Sequence, residues 1–176
     1  MAFSGSIASG KTTVSKEASR VLGWKYGSFG DFIRKEAIRR GAKYESREVL
    51  QDIGSELINQ GWDEFCWGVL RDAGWEKGHG LVLDGIRHLE GLEKIREIVN
   101  PLSVFLIFIQ VSPNIRKKRL LEKKIKETNL LKFEQHQTEQ QVKLKLLEYA
   151  DLVVNGDQPL NIATKTIVDW LSTKMN

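Results

Sequence analysis

Residues 5–12 read Gly5-Ser6-Ile7-Ala8-Ser9-Gly10-Lys11-Thr12, and this stretch decides the expected fold. It matches the pattern G-x-x-x-x-G-K-[ST] at every fixed position. The two glycines let backbone N–H groups curl around a polyphosphate, and the helix that follows points its positive end toward it. Lys11 would reach the β- and γ-phosphates, and the Thr12 hydroxyl suits Mg²⁺. The stretch therefore predicts a nucleotide-binding loop between a strand and a helix.

Short apolar runs alternate with longer amphipathic segments along the rest of the chain. We expect five strands, at residues 1–4, 24–28, 81–83, 104–111 and 152–154, with helical spacing of apolar residues between them. Strands that alternate with helices imply a parallel sheet covered on both faces, so the predicted class is α/β with three layers. Such sheets bind ligands at the carboxyl ends of their strands, which is where the motifs fall.

Two further motifs follow predicted strands: Ser28-Phe29-Gly30-Asp31-Phe32-Ile33-Arg34 and Leu83-Asp84-Gly85-Ile86-Arg87. Asp84 leaves an apolar strand, which suits a carboxylate that holds hydrated Mg²⁺. Arg34 and Arg87 would lie on the same rim, where guanidinium groups grip phosphate oxygens with two parallel bonds. Two such arginines facing the loop indicate an acceptor with its own phosphate. Each residue also has a structural interpretation: Arg34 as a solvated helix charge, Asp31 as a helix N-cap and Asp84 as a turn residue.

These two motifs resemble the acceptor-site pair of adenylate kinases and their relatives, S-x-G-D-x-x-R and D-G-x-x-R. The second is one residue tighter here and lacks the proline. In this it is closer to a group of relatives of dephospho-CoA kinase, which the following residues also match: Val111-Ser112-Pro113, Arg116, Arg119, Ala150-Asp151 and Asn155-Gly156. The chain is thus similar to P-loop kinases of the nucleoside-monophosphate-kinase type. The resemblance covers most of the chain, and only the loop and the two Asp–Arg motifs are specific.

The resemblance implies an ATP- and Mg²⁺-dependent phosphotransferase that moves the γ-phosphoryl of ATP to a small phosphate-bearing acceptor, such as a nucleoside monophosphate or dephospho-CoA. Thr12 and Asp84 would serve the metal, and Asp31, Arg34 and Arg87 the acceptor. Lys11, Asp31 and Arg119 would be catalytic. Asp31 keeps two possible roles, as general base or as a ligand to Mg²⁺ and acceptor. The residues expected to bind ATP are Gly5, Ser6, Ala8, Ser9, Gly10, Lys11, Thr12, Thr13, Arg116 and Arg119.

The resemblance also implies one domain over residues 1–176, with an acceptor-binding insertion at about 31–77 and a short lid at about 126–141. Seven cationic side chains lie between residues 115 and 126 and suit either ATP or a solvated helix face. Where relatives carry lid arginines, residues 133–139 offer His136 and amides. Lys124, Lys132 or Lys143 would then act in the lid, or turnover is weak. The aromatic residues between 61 and 75 belong either to the core or to the wall of an acceptor pocket.

The amino-acid composition limits the partners and the cellular compartment that we expect for this protein. Basic and acidic residues number 27 and 23, so the net charge of +4 weakly favours anionic ligands and makes nucleic acid an unexpected partner. One cysteine excludes an internal disulfide framework and is compatible with a reducing cytoplasm, and no apolar run approaches the ~20 residues that span a bilayer. We expect a cytoplasmic protein. The alternative function is a nucleotide-binding regulator or RNA-associated protein with little transfer activity; the pattern for a GTP-dependent switch is absent.

Overall fold

The computed structural model describes residues 1–122 and 145–175. Within these ranges five strands alternate with helices. The strands are β1 (Ala2–Ser4), β2 (Lys25–Ser28), β3 (Leu81–Asp84), β4 (Leu106–Gln110) and β5 (Leu152–Asn155). The helices are α1 (Lys11–Leu22), α2 (Phe29–Arg39), α3 (Arg47–Gln60), α4 (Trp62–Asp72), α5 (Leu89–Val99), α6 (Pro113–Glu122) and α7 (Leu160–Met175). All five expected strands are present, with ends shifted by one or two residues.

The strands form one sheet in the order β2-β3-β1-β4-β5, and every pairing among them is parallel. The chain builds β2 and β3 on one side of β1 and then β4 and β5 on the other. The strand order therefore reverses at β1, and the crevice at its carboxyl end is where ligands bind open α/β sheets. The loop at residues 5–10 lies at that point, directly after β1.

Alternate residues of the central strands pack into two separate cores. Phe3, Ile107 and Ile109 contact the core shared with α1 and α7, while Leu83, Leu106 and Phe108 belong to the core shared with α4 and α5. This is the period of two that a pleated strand imposes when both faces of its sheet are covered. The expectation of an α/β fold with helices on both faces is confirmed.

Between β2 and β3 the chain forms α2, α3 and α4, which occupy most of the stretch expected to be an acceptor-binding insertion. Ser28 caps α2, because its side chain accepts a hydrogen bond from the Asp31 amide, and Ser46 caps α3 in the same way through Val49. The interpretation of Asp31 as the N-cap is therefore wrong. The expected lid at about 126–141, with His136 and the lysines named for it, lies outside the described residues. None of the described helices is long and apolar enough to cross a membrane.

Candidate active site

The loop after β1 has the backbone that its glycines allow. Gly5 has φ +148° and Gly10 has φ +90°, both in the region that disfavours other residues. A Cβ atom on Gly5 would lie 2.6 Å from the Ile109 carbonyl oxygen of β4, so no larger residue fits there. Ser9 donates its backbone N–H to the Ser6 carbonyl at 3.1 Å, which closes a tight turn. Ala8 also has a positive φ of 64°, a conformation that costs a non-glycine residue about 1 kcal/mol or more.

The loop delivers the chain into α1 in an orientation suited to an anion. Gly10 precedes the helix in a left-handed conformation and makes no side-chain cap, and the first turn has no acidic residue. Thr13 and Val14 donate their N–H groups to the Gly10 carbonyl. Lys11 and Thr12 are the first two residues of the helix, at its positive end. This is the geometry that polyphosphate-binding loops use.

Thr12 and Asp84 lie together although 72 residues separate them. The Thr12 hydroxyl donates to Oδ2 of Asp84 at 2.6 Å, and the Tyr26 hydroxyl donates to the same oxygen at 3.1 Å. Asp84 is the last residue of β3, only 3% exposed, and its Oδ1 is buried with no hydrogen-bond partner among the described residues. A buried carboxylate oxygen without a donor costs free energy unless a ligand satisfies it.

This oxygen-rich pair fits Mg²⁺. The ion takes oxygen ligands, keeps several of its waters and is commonly held by one or two protein groups together with substrate phosphates. Thr12 and Asp84 would hold it, with Oδ1 of Asp84 turned to an ordered water. Tyr26 was not singled out in the sequence, because a tyrosine within a strand is ordinary. Burial, and then the Asp84 carboxylate, raise the pKa of Tyr26, so its hydroxyl remains a donor.

Arg116 and Arg119 of α6 contact the loop itself. Nε of Arg116 donates to the Ile7 carbonyl at 3.0 Å. The Arg119 guanidinium donates to the carbonyls of Ser9 and Gly156, each at 2.9 Å. Arg119 thus ties the nucleotide-binding loop to the segment that follows β5. Both arginines were expected at the base of a lid in contact with ATP; in this structure both donate hydrogen bonds to backbone carbonyls of the loop.

Asp31 and Arg34 lie one turn apart on α2. Nη1 of Arg34 donates to Oδ1 of Asp31 at 2.6 Å, and the two side chains are 46% and 47% exposed. An ion pair this exposed contributes little to stability. Neither side chain is buried in the core, so either group can leave this ion pair at little cost and bind a ligand instead.

A cleft of about 640 Å³ opens beside this pair and continues to residues 85–91. Three arginines line it, Arg34, Arg47 and Arg87. Gly85, Ile86 and Arg87 follow Asp84 directly, so the cleft and the Thr12–Asp84 pair share one segment of chain. A second cavity, of about 360 Å³, is lined by Trp24, Trp75 and His79 among others and by no residue of the nucleotide-binding loop.

Helix α3 forms one wall of the cleft. It presents a polar row at every fourth position, Arg47, Gln51, Ser55 and Asn59. Sequence reasoning missed Arg47, although this spacing was available as a signal. Trp62 and Phe65 also line the cleft and stack with ring centroids 6.0 Å apart, and Phe65 is buried in the core as well. Trp62 and Phe65 thus pack in or against the core and also form pocket wall, while Trp67 is 41% exposed.

The chain belongs to the AAA domain family whose model matches residues 2–143. It is 33% identical over 120 residues to a UPF0200 protein of Pyrobaculum aerophilum, an alignment that covers 68% of this chain and 63% of that protein. The chain thus spans less than two thirds of that relative's length.

Two of the similar solved structures are shikimate kinases. The enzyme from Aquifex aeolicus has a TM-score of 0.64 at 21% identity, over 99% of this chain and 96% of that one. The enzyme from Bacteroides thetaiotaomicron has a TM-score of 0.62 at 13% identity, over 97% of each chain. A sugar kinase from a Janibacter species has a TM-score of 0.57 at 18% identity, over 97% of this chain and 92% of that one. At these identities the similarity establishes a P-loop kinase-like fold.

Proposed function

We propose that this protein is an ATP- and Mg²⁺-dependent phosphotransferase whose acceptor is a small molecule with its own phosphate, such as a nucleoside monophosphate or a dephospho-CoA-like compound. One observation carries the proposal: three arginines line a cleft, and residues 85–87 of its wall follow directly on Asp84 of the Thr12–Asp84 pair. Three guanidinium groups that line one cleft complement an anionic acceptor, and a phosphate accepts the paired hydrogen bonds that such groups donate. The transferring phosphoryl adds to the negative charge that these arginines would face.

On this proposal the nucleotide lies over the loop after β1. Backbone N–H groups and Lys11 hold the β- and γ-phosphates, and Thr12 with Asp84 hold the metal. Mg²⁺ bound there would neutralise the negative charge of the β- and γ-phosphates. The loop residues would contribute by aligning the phosphates and stabilising their charge, because phosphoryl transfer depends mainly on these two effects.

The acceptor lies in the cleft with its phosphate toward the arginines. An acceptor oxygen attacks the γ-phosphorus as the bond from that phosphorus to the β,γ-bridging oxygen breaks, and ADP leaves. Asp31 has two possible parts in this step. As a base it would take the proton of an acceptor hydroxyl; as a ligand it would orient Mg²⁺ or an acceptor that is already ionised. The Asp31–Arg34 pair would open to the acceptor phosphate, since its exposure makes it weak.

The test measures ADP release with a panel of acceptors, and nucleotide affinity in the same samples. The panel contains nucleoside monophosphates, dephospho-CoA, shikimate and a simple sugar. Replacing Arg34, Arg47 or Arg87 with alanine should lower the kcat/KM for the acceptor by roughly 10- to 150-fold, since each charge-assisted contact contributes about 1.5–3 kcal/mol. ATP affinity should change little. Lysine at any of these positions should restore activity only in part, because an ammonium group cannot donate the two parallel hydrogen bonds of a planar guanidinium.

Arg39→Ala is the matched control. Arg39 lies on the same helix as Arg34 and is paired with Glu36, but does not line the cleft. Parental acceptor kinetics in all three cleft variants would refute the arginine site. A regulator without an acceptor predicts normal ATP binding and no ADP release above background with any member of the panel.

A further inference from the structure

The hydrogen bonds around Asp84 are unevenly divided between its two carboxylate oxygens. Oδ2 accepts from Thr12 of α1 and from Tyr26 of β2, at 2.6 and 3.1 Å. Oδ1 is buried and accepts from no described residue. Residues of α1 and β2 therefore both hydrogen-bond to Oδ2 of the carboxylate, and Oδ1 is left to accept from a ligand.

We propose that Tyr26 is a positioning residue that fixes the Asp84 carboxylate so that Oδ1 faces the hydrated metal ion of the nucleotide site. The inference rests on the proposed function, because it assigns Tyr26 to the metal site named there. Tyr26 touches neither metal nor nucleotide on this proposal; it acts through Asp84.

Thr12 alone does not secure this orientation. Its hydroxyl has a single hydrogen, and its oxygen is itself expected to ligate the metal. The position of this hydroxyl therefore depends on the metal as well as on Asp84. The Tyr26 hydroxyl also interacts with the Ser15 side chain, but it is not expected to ligate the metal. Partners of this kind, which hydrogen-bond a ligating group from outside, orient that group and affect metal affinity by about 10- to 100-fold.

Tyr26 is well placed to be rigid. It lies in β2, which pairs in parallel with β3 so that Tyr26 stands opposite Val82, two residues before Asp84. The Lys16 ammonium lies 5.5 Å from the centre of its ring, on the side of α1. The ring also packs against the core shared with α1 and α7, so its hydroxyl is presented with little rotamer freedom to lose.

The test uses Tyr26→Phe, which removes one oxygen and keeps the ring. A fluorescent N-methylanthraniloyl derivative of ATP is titrated into the protein in EDTA and at a series of Mg²⁺ concentrations. In EDTA, the affinity of the variant for the nucleotide should match that of the parent within about twofold, since the loop is untouched. Mg²⁺ should increase the affinity of both proteins for the nucleotide, and the Mg²⁺ concentration that gives half of this increase should be about tenfold higher for the variant. A loss of packing alone would weaken nucleotide binding in both conditions.

Tyr44→Phe is the matched control, because Tyr44 is 41% exposed in the loop before α3, and it should behave as the parent. Asp84→Asn should remove the response to Mg²⁺. If Tyr26→Phe alone keeps the parental response, the positioning role is refuted while the metal site stands. If the parent shows no response to Mg²⁺, or Asp84→Asn keeps it, the metal site fails, and the role of Tyr26 fails with it.

Discussion

Arg119→Ala should destabilise the protein even when no nucleotide is bound. Its guanidinium makes two hydrogen bonds of 2.9 Å, to the carbonyls of Ser9 and Gly156, and so links two segments that are far apart in the sequence. A hydrogen bond that involves a charged group contributes about 1.5–3 kcal/mol, and we take the lower value for each because both hydrogen bonds are only partly buried. The free energy of unfolding should then fall by about 3 kcal/mol, which for a domain of this size lowers Tm by roughly 6–12 °C.

Urea unfolding followed by tryptophan fluorescence measures this change in nucleotide-free protein. Arg119→Lys should lose about half as much, since an ammonium does not span both carbonyls as the planar fork does. Lys118→Ala, which removes an exposed cation from the same helix, is the control and should stay within about 0.5 kcal/mol of the parent. An Arg119→Ala variant with parental unfolding and weakened ATP binding would refute the bridging role and favour the direct contact with ATP that the sequence predicts.

Three other outcomes are expected. Lys11→Ala should abolish phosphoryl transfer and leave the free energy of unfolding within about 1 kcal/mol, because the removed charge serves the phosphates; transfer at the parental rate would exclude the loop from catalysis. Asp84→Asn should lower activity by about 100-fold or more at ordinary Mg²⁺ concentrations, and full activity would exclude it from the metal site. Burial, and then Asp63, raise the pKa of the Cys66 thiol to about 12, so at pH 8 a thiol reagent should modify the native protein only on unfolding, and rapid native modification would contradict its burial.

The sequence determined the fold and the place of the nucleotide loop. The pattern at residues 5–12 specifies backbone conformations that only glycine allows at two positions, and it lies between an apolar run and a helical one. These are local properties, because φ and hydrophobic period depend on near neighbours along the chain. The same reasoning located the five strands to within one or two residues, and with them the rim that carries Asp31, Arg34, Asp84 and Arg87.

Only the tertiary structure decided which of these residues meet and through which atoms. Tyr26 and Asp84 are 58 residues apart, and Arg119 and Ser9 are 110 apart; their contacts follow from the strand order and from the packing of α6 against the loop. The spacing of Arg47, Gln51, Ser55 and Asn59 shows that α3 has a polar row, but only the packing of α3 shows that this row lines the cleft. Strand order is set by long-range pairing and by the burial of both faces of the sheet, so the partners it brings together do not appear as spacing in the sequence.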